Sequence, residues 1–133
     1  MIDVQSAPYA ALVLRAGLAA LFIAHAWLKL AVFKPAGTVQ YFQSLGLPGA
    51  LAYFAIAAEI GGAMLLFGIL ARWAAIALIP LILGTIVFAH GKNGWLFTNK
   101  DGGWEFPAFW ALALAVLALL GDGAYALAPS PWL

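Results

Sequence analysis

Hydrophobic residues run along the chain in four long stretches, and the polar residues fall between them or singly inside them. The first stretch, residues 9–33, is long enough to cross roughly 30 Å of hydrocarbon at about 1.5 Å per residue. It carries Arg15, His25 and Lys29. The second, residues 50–70, comes after Gly46-Leu47-Pro48 and contains Glu59; the third, residues 72–90, begins at Arg72 and ends at His90; the fourth covers residues 106–127 and passes Gly121, Asp122 and Gly123. None of them alternates with period two, as a membrane β-strand with a polar lumen side does. The pattern therefore predicts an all-α fold: an integral membrane four-helix bundle, antiparallel, forming a single domain over residues 1–133. The short turn at residues 68–72 makes the second and third helices antiparallel neighbours. A loop over residues 34–48 and a structured loop over residues 91–105 then open on one face, with both termini on the other. Pro80 removes one hydrogen bond from the third helix and is expected to bend it.

Composition strengthens the membrane reading. The 133 residues are 66% hydrophobic and 8% charged, against roughly 25% charged in a soluble domain. A formal charge of +1 with scattered lysines and arginines gives no field to attract nucleic acid, which is set aside as a partner. With no cysteine, disulfide chemistry, thiolate nucleophiles and iron–sulfur ligation by this chain are excluded. The opening MIDVQSAPYA lacks the basic segment of a secretory signal, so the first helix is expected to be retained.

Counting turns from each end sorts the ionisable residues into two levels. Arg15, Arg72 and Asp122 lie toward the terminal face and are expected to form one charge network, because an isolated charge in hydrocarbon is heavily penalised. His25 and Lys29, one turn apart on one side of the first helix, lie near the loop face with His90 and Glu105. Glu59 falls between the levels. In that position it is protonated, paired or reached by water, and it serves either a helix contact or a pocket. Asn93-Gly94 and Asp101-Gly102-Gly103 are turn sequences, so residues 91–105 should fold back over the bundle, with Trp95 and Trp104 as interfacial anchors.

The atoms of this constellation suit a small redox-active ring such as a quinone. Such a site asks for an apolar cleft, aromatic side chains to stack, and a histidine or carboxyl near each ring oxygen. Glu59, His25, His90 and Glu105 are the candidate proton-handling groups, and Phe22, Lys29, Asn93 and Trp95 the candidate binding groups. Electrons would then come from a protein partner or a soluble donor. Haem held between His25 and His90 fits less well, since the two histidines sit near one edge and no CxxCH motif is present. No metal is expected, because no HExxH or Glu-xx-His spacing fixes a ligand set. Two other readings stay open: a non-catalytic membrane subunit that anchors or stabilises a redox complex, and a small-solute carrier assembled as a homo-oligomer.

Taken in order, several residues resemble the DoxX family of small four-helix membrane proteins. These are Arg15, Gly17, Phe22, Lys29 and Phe33; Gly46-Leu47-Pro48; Glu59 with Gly61 and Gly62; Gly68 with Arg72; His90, Asn93 and Gly94; and Gly103 with Glu105. Two features depart from the family pattern: His25 stands where many members have glycine, and GDGAYALAP at residues 121–129 replaces a more polar ending. The resemblance implies the fold, a bacterial or archaeal cytoplasmic membrane, and quinone-related redox work, since the family is known for a subunit of a thiosulfate:quinone oxidoreductase and for quinone detoxification. Lys29, Lys34, Lys92 and Lys100 on the loop face outnumber Arg15 and Arg72, which would put the termini outside. Arg15 and Lys29 lie within spans, so the count leaves sidedness open.

Overall fold

The computed structural model describes residues 3–131, which are helical with no β-sheet among them. Helix α1, Ala7–Trp27, continues through a π-helical turn at Leu28–Val32. Helix α2, Lys34–Ser44, is followed by α3, Ala50–Gly61, and the single turn α4, Met64–Phe67. Helix α5, Ala71–Thr85, continues through a second π-helical turn at Ile86–His90 and a 3-10 turn at Gly91–Asn93, and α6 covers Glu105–Leu120. Three helical stretches are long and apolar enough to cross a membrane: Ala7–Val32, Ala50–Phe67 and Ala71–Asn93. Helix α6 is a shorter apolar helix.

Helix α5 packs along α6, and α1 packs against α3, α4 and α6. Leu18, Ala19, Phe22, Leu65, Ala75, Leu78, Ile82, Trp110, Leu114 and Leu117 form the core. Close approach of α1 depends on Gly62, where a Cβ would run into the Phe22 ring. The outward faces are as apolar as the core: Val13, Val87, Phe109 and Leu119 are exposed. A continuous apolar exterior on this scale calls for a non-aqueous surrounding.

Two segments differ from the sequence expectation. The first is residues 34–48, expected as a loop, which contain the eleven-residue α2. Pro35 disfavours continued helix at the residue before it, so Lys34 turns left-handed at φ 61° and the chain starts a new helix. Thr38 is buried and donates its hydroxyl to the Lys34 carbonyl at 3.1 Å. The other difference is that α6 stops at Leu120 instead of continuing to residue 127. Gly121 takes φ 88°, and the Arg72 guanidinium lies where its Cβ would be.

Beyond α6 the chain is an irregular tail docked on the turn between α4 and α5. Leu127 N donates to the Phe67 carbonyl at 3.0 Å, Ala128 N to Gly68 at 3.1 Å, and Leu70 N to Ala128 at 2.8 Å. Tyr9 and Tyr125 pack ring to ring at 5.4 Å, so the two described ends of the chain meet on one face. The residues at the extreme termini lie outside the described segment. Asp122 organises the tail: its carboxylate accepts from Arg72 N at 2.9 Å, Ser130 N at 2.6 Å and Ser130 Oγ at 2.9 Å. Arg15 is fully buried beneath it and donates Nη2 to the Tyr125 carbonyl at 3.0 Å, not to the Asp122 carboxylate. Of the three residues foreseen as one network, Arg72 meets Asp122 through its backbone amide and Arg15 meets the Tyr125 carbonyl, and the two contacts gather at the same end of the protein.

Burial pushes the Asp122 carboxyl up, but the hydrogen bonds from Ser130 and the Arg72 amide, with the Arg72 charge, outweigh burial and hold it below its ordinary value. A carboxyl lowered in the folded state contributes stability that is complete above its unfolded pKa and is lost as pH falls through the folded one. Thermal unfolding in detergent micelles should therefore show wild type losing stability below about pH 4. Asp122→Asn should be less stable at neutral pH and should lose this part of the acid dependence.

Candidate functional site

Between α1, α3 and α5 lies a cleft of about 840 Å³. Helix α2 closes part of it with Tyr41 and Phe42, and α6 contributes Phe106, Pro107 and Trp110. Most of the wall is aliphatic or aromatic. Its ionisable side chains are His25, Lys29, Tyr41, Glu59 and His90.

The two π-helical turns help to place these groups. A π turn inserts one extra residue into the helical repeat and rotates the downstream residues about the axis, a device frequent at functional sites. Lys29 lies in the first such turn and His90 ends the second. Lys29 Nζ reaches Glu59 Oε1 at 2.7 Å, and both side chains are largely buried, with 17% and 7% exposure. The second carboxylate oxygen, Glu59 Oε2, is buried with no hydrogen-bond partner, and so is Trp110 Nε1. One acceptor and one donor are therefore unsatisfied in residues that line the same apolar cleft.

His25 lies 4.8 Å from the Trp110 ring and 6.4 Å from the Phe106 ring, centroid to centroid. His90 Nδ1 is 3.0 Å from the Gly102 carbonyl. A carbonyl only accepts, so Nδ1 carries the proton and Nε2 of the neutral ring is left as an acceptor. His25, His90, Phe106 and Pro107 also line a second groove of about 800 Å³ toward the loop face, and so form a partition between the two spaces.

The other residues singled out from sequence sit elsewhere. Phe22 is fully buried in the core against Trp110, at 4.8 Å, and is absent from the cleft wall. Asn93 braces the loop: its amide donates to the Gly102 carbonyl at 2.8 Å, to Asp101 at 3.2 Å and to Ala89 at 3.3 Å. Glu105 accepts Phe97 N at 3.0 Å, and Trp95 packs edge-on against Trp104 at 4.6 Å. Trp95 and Glu105 line the second groove instead. The loop is thus folded back on itself, with His90 tied into it.

Sequence reasoning missed Trp110, Tyr41 and Phe42. The signal for Trp110 was its position: it lies five residues inside α6, too deep for an interfacial anchor, and one turn from Phe106.

Removing one partner of a buried ion pair leaves an uncompensated charge and costs about 3–5 kcal/mol. Lys29→Met should therefore destabilise the protein by that order. The double variant Lys29→Met with Glu59→Gln should recover much of the loss, as measured by denaturant unfolding in lipid nanodiscs. Additive effects would mean that the two side chains do not depend on each other.

Comparison with known proteins places the chain among membrane proteins. Residues 10–91 match the DoxX family model, a segment that includes Arg15, His25, Lys29, Glu59 and His90 and ends before Asn93, Glu105 and Trp110. A protein of Escherichia coli (strain K12) named "Inner membrane protein YqjF" is 33% identical over 116 residues, 80% of each chain. A protein of Bacillus subtilis (strain 168) named "Putative oxidoreductase CatD" is 34% identical over 94 residues, which cover 70% of this chain and 66% of that one. No solved structure matches the chain significantly. With its apolar spans, the family match and an inner-membrane relative, the chain is an integral membrane protein and belongs to the DoxX family.

Proposed function

We propose that the cleft binds the ring of a quinone or quinol, and that the protein is the quinone-binding component of a membrane oxidoreductase whose electrons come from a partner. The observation that carries this reading is the Lys29–Glu59 pair at 2.7 Å together with the two unsatisfied atoms, Glu59 Oε2 and Trp110 Nε1. A buried polar group without a partner costs about 1–3 kcal/mol. An occupant that supplies one acceptor and one donor removes both costs once small side-chain shifts uncover the two atoms, which the surrounding side chains occlude in the empty cleft. The ion pair is neutral as a unit, so a neutral ring bearing oxygens suits it better than an anion does.

A quinone supplies the reversible uptake of two electrons and two protons when bound; the chain's own residues hold and orient it. Trp110 Nε1 donates to a ring oxygen, and Glu59 Oε2 accepts from a ring hydroxyl or holds a proton beside it. Lys29 keeps the Glu59 carboxyl in place. His25, packed on Trp110 and Phe106, limits where the ring can lie, and His90 offers Nε2 as a further acceptor. The relative named as an oxidoreductase agrees with a redox role.

In this reading α6 is a fourth span, antiparallel to its neighbours, in a bacterial cytoplasmic membrane. Its sixteen residues give about 24 Å, so the bilayer thins or side chains snorkel at its ends. The test is to purify the protein with its native lipid, extract and identify bound small molecules by mass spectrometry, and titrate quinone analogues. Wild type should retain quinone. Glu59→Gln should lower retention and affinity by about tenfold, the equivalent of 1.4 kcal/mol, and Trp110→Phe should do so several-fold while leaving thermal stability near wild type. Wild type without quinone, and with no response to Glu59→Gln, would favour an anchoring subunit instead.

A further inference from the structure

The cleft is longer than a ring requires, and its two halves differ. Helices α3–α4 and α5 form a hairpin about the turn at Gly68, so Glu59 stands level with about Ile79. From that level to Leu70 the cleft extends for nine residues of helix, or about 14 Å. Its lining there includes Gly61, Met64, Leu70, Trp73, Ala77 and Leu78. None of these is charged. Gly61 is the last residue of α3 and lines the cleft, and a Cβ added to it would meet nothing within 4 Å. Ala77 is exposed along this limb, and Met64 and Leu70 keep more than a third of their surface open.

A furrow of small residues says nothing by itself about an occupant. Here it leads away from two side chains that are more than nine-tenths buried and keep unsatisfied polar atoms, Glu59 and Trp110. A neutral polar end joined to an apolar limb describes a molecule with an oxygenated ring and a hydrocarbon chain. A phospholipid fits poorly, because its phosphate would meet Glu59 while the Lys29 charge is already paired.

We infer that the limb between α3–α4 and α5 holds the hydrocarbon tail of a lipid-soluble quinone, which enters sideways from the bilayer past Met64, Leu70 and Trp73. The inference rests on the ring reading above and adds direction: the tail leaves toward the terminal face, away from the loop that covers His90.

The experiment compares the quinol of 2,3-dimethoxy-5-methyl-1,4-benzoquinone, whose hydroxyls can donate to Glu59 Oε2, with the quinol of the same ring bearing a decyl chain, both kept reduced under anaerobic conditions. Both are titrated into nanodiscs holding wild type, Ala77→Trp or Gly84→Leu, with concentrations corrected for partition into lipid. Ala77→Trp fills the tail limb from an exposed position, so the core should stay intact. Gly84→Leu adds bulk to the other half of the cleft, where Gly84 too has open space. The expected result is at least tenfold weaker binding of the decyl compound to Ala77→Trp, with less than a twofold change for the tail-less ring. Gly84→Leu should keep the wild-type preference for the tail. Gly61→Leu, which narrows the same limb from the opposite helix, should reproduce the Ala77→Trp result and so guards against a local folding defect in either variant. Equal effects on both compounds, or loss of the tail preference in Gly84→Leu alone, overturn the limb assignment while the ring site stands. Wild type that binds neither compound overturns the ring site and the limb together.

Discussion

Everything around the cleft depends on one ion pair placed where ions are expensive. Charged groups away from water stay only if matched, and Glu59 is matched by a single lysine reaching across from α1. The contact ties α1 to α3 across a space that side chains do not fill. It also leaves one carboxylate oxygen uncommitted. A second cation would have satisfied that oxygen, and an apolar residue in place of Glu59 would have left Lys29 without its partner.

Much of this is legible in the order of residues alone. Glu59 stands out because a carboxyl amid AAEIGG has no local reason to exist, and Lys29 and His25 join it through their shared helix face. The spans are legible because apolar length in a bilayer is set by thickness, a simple constraint. Tertiary fit decides the features that the sequence conceals. Helix α2 mixes Gly37, Thr38, Gln40 and Gln43, which read as loop, and is helical because Pro35 restarts the chain and Tyr41 and Phe42 find the cleft. Phe22 resembles a stacking partner because aromatic rings serve cores and ligands alike, and only its contact with Gly62 tells which. Asn93 and Glu105 have the right atoms for a site but spend them on backbone groups of their own loop.

The two faces of the protein solve one problem in different ways. Helix ends expose polar backbone that an apolar neighbourhood cannot satisfy. On the loop face, residues 91–105 answer with side chains, Asn93, Asn99 and Glu105, that fold the segment onto itself and hold His90 by its Nδ1. On the other face a tail without regular structure supplies its own backbone groups to the turn at residues 67–70, anchored by one carboxylate. The first arrangement positions a cleft residue. The second touches no residue of the polar centre.

That tail also orders events in time. The carbonyls of Phe67 and Gly68 and the amide of Leu70 find their partners in residues that lie beyond α6 in the chain. While a ribosome is feeding the protein into the bilayer, the hairpin of α3–α4 and α5 must therefore wait with its turn incomplete until α6 has been made and laid in place. The joint seals only when Leu127 and Ala128 have emerged. A chain halted before that point would carry an open seam at the terminal face, with the Phe67 and Gly68 carbonyls and the Leu70 amide lacking the partners they have here.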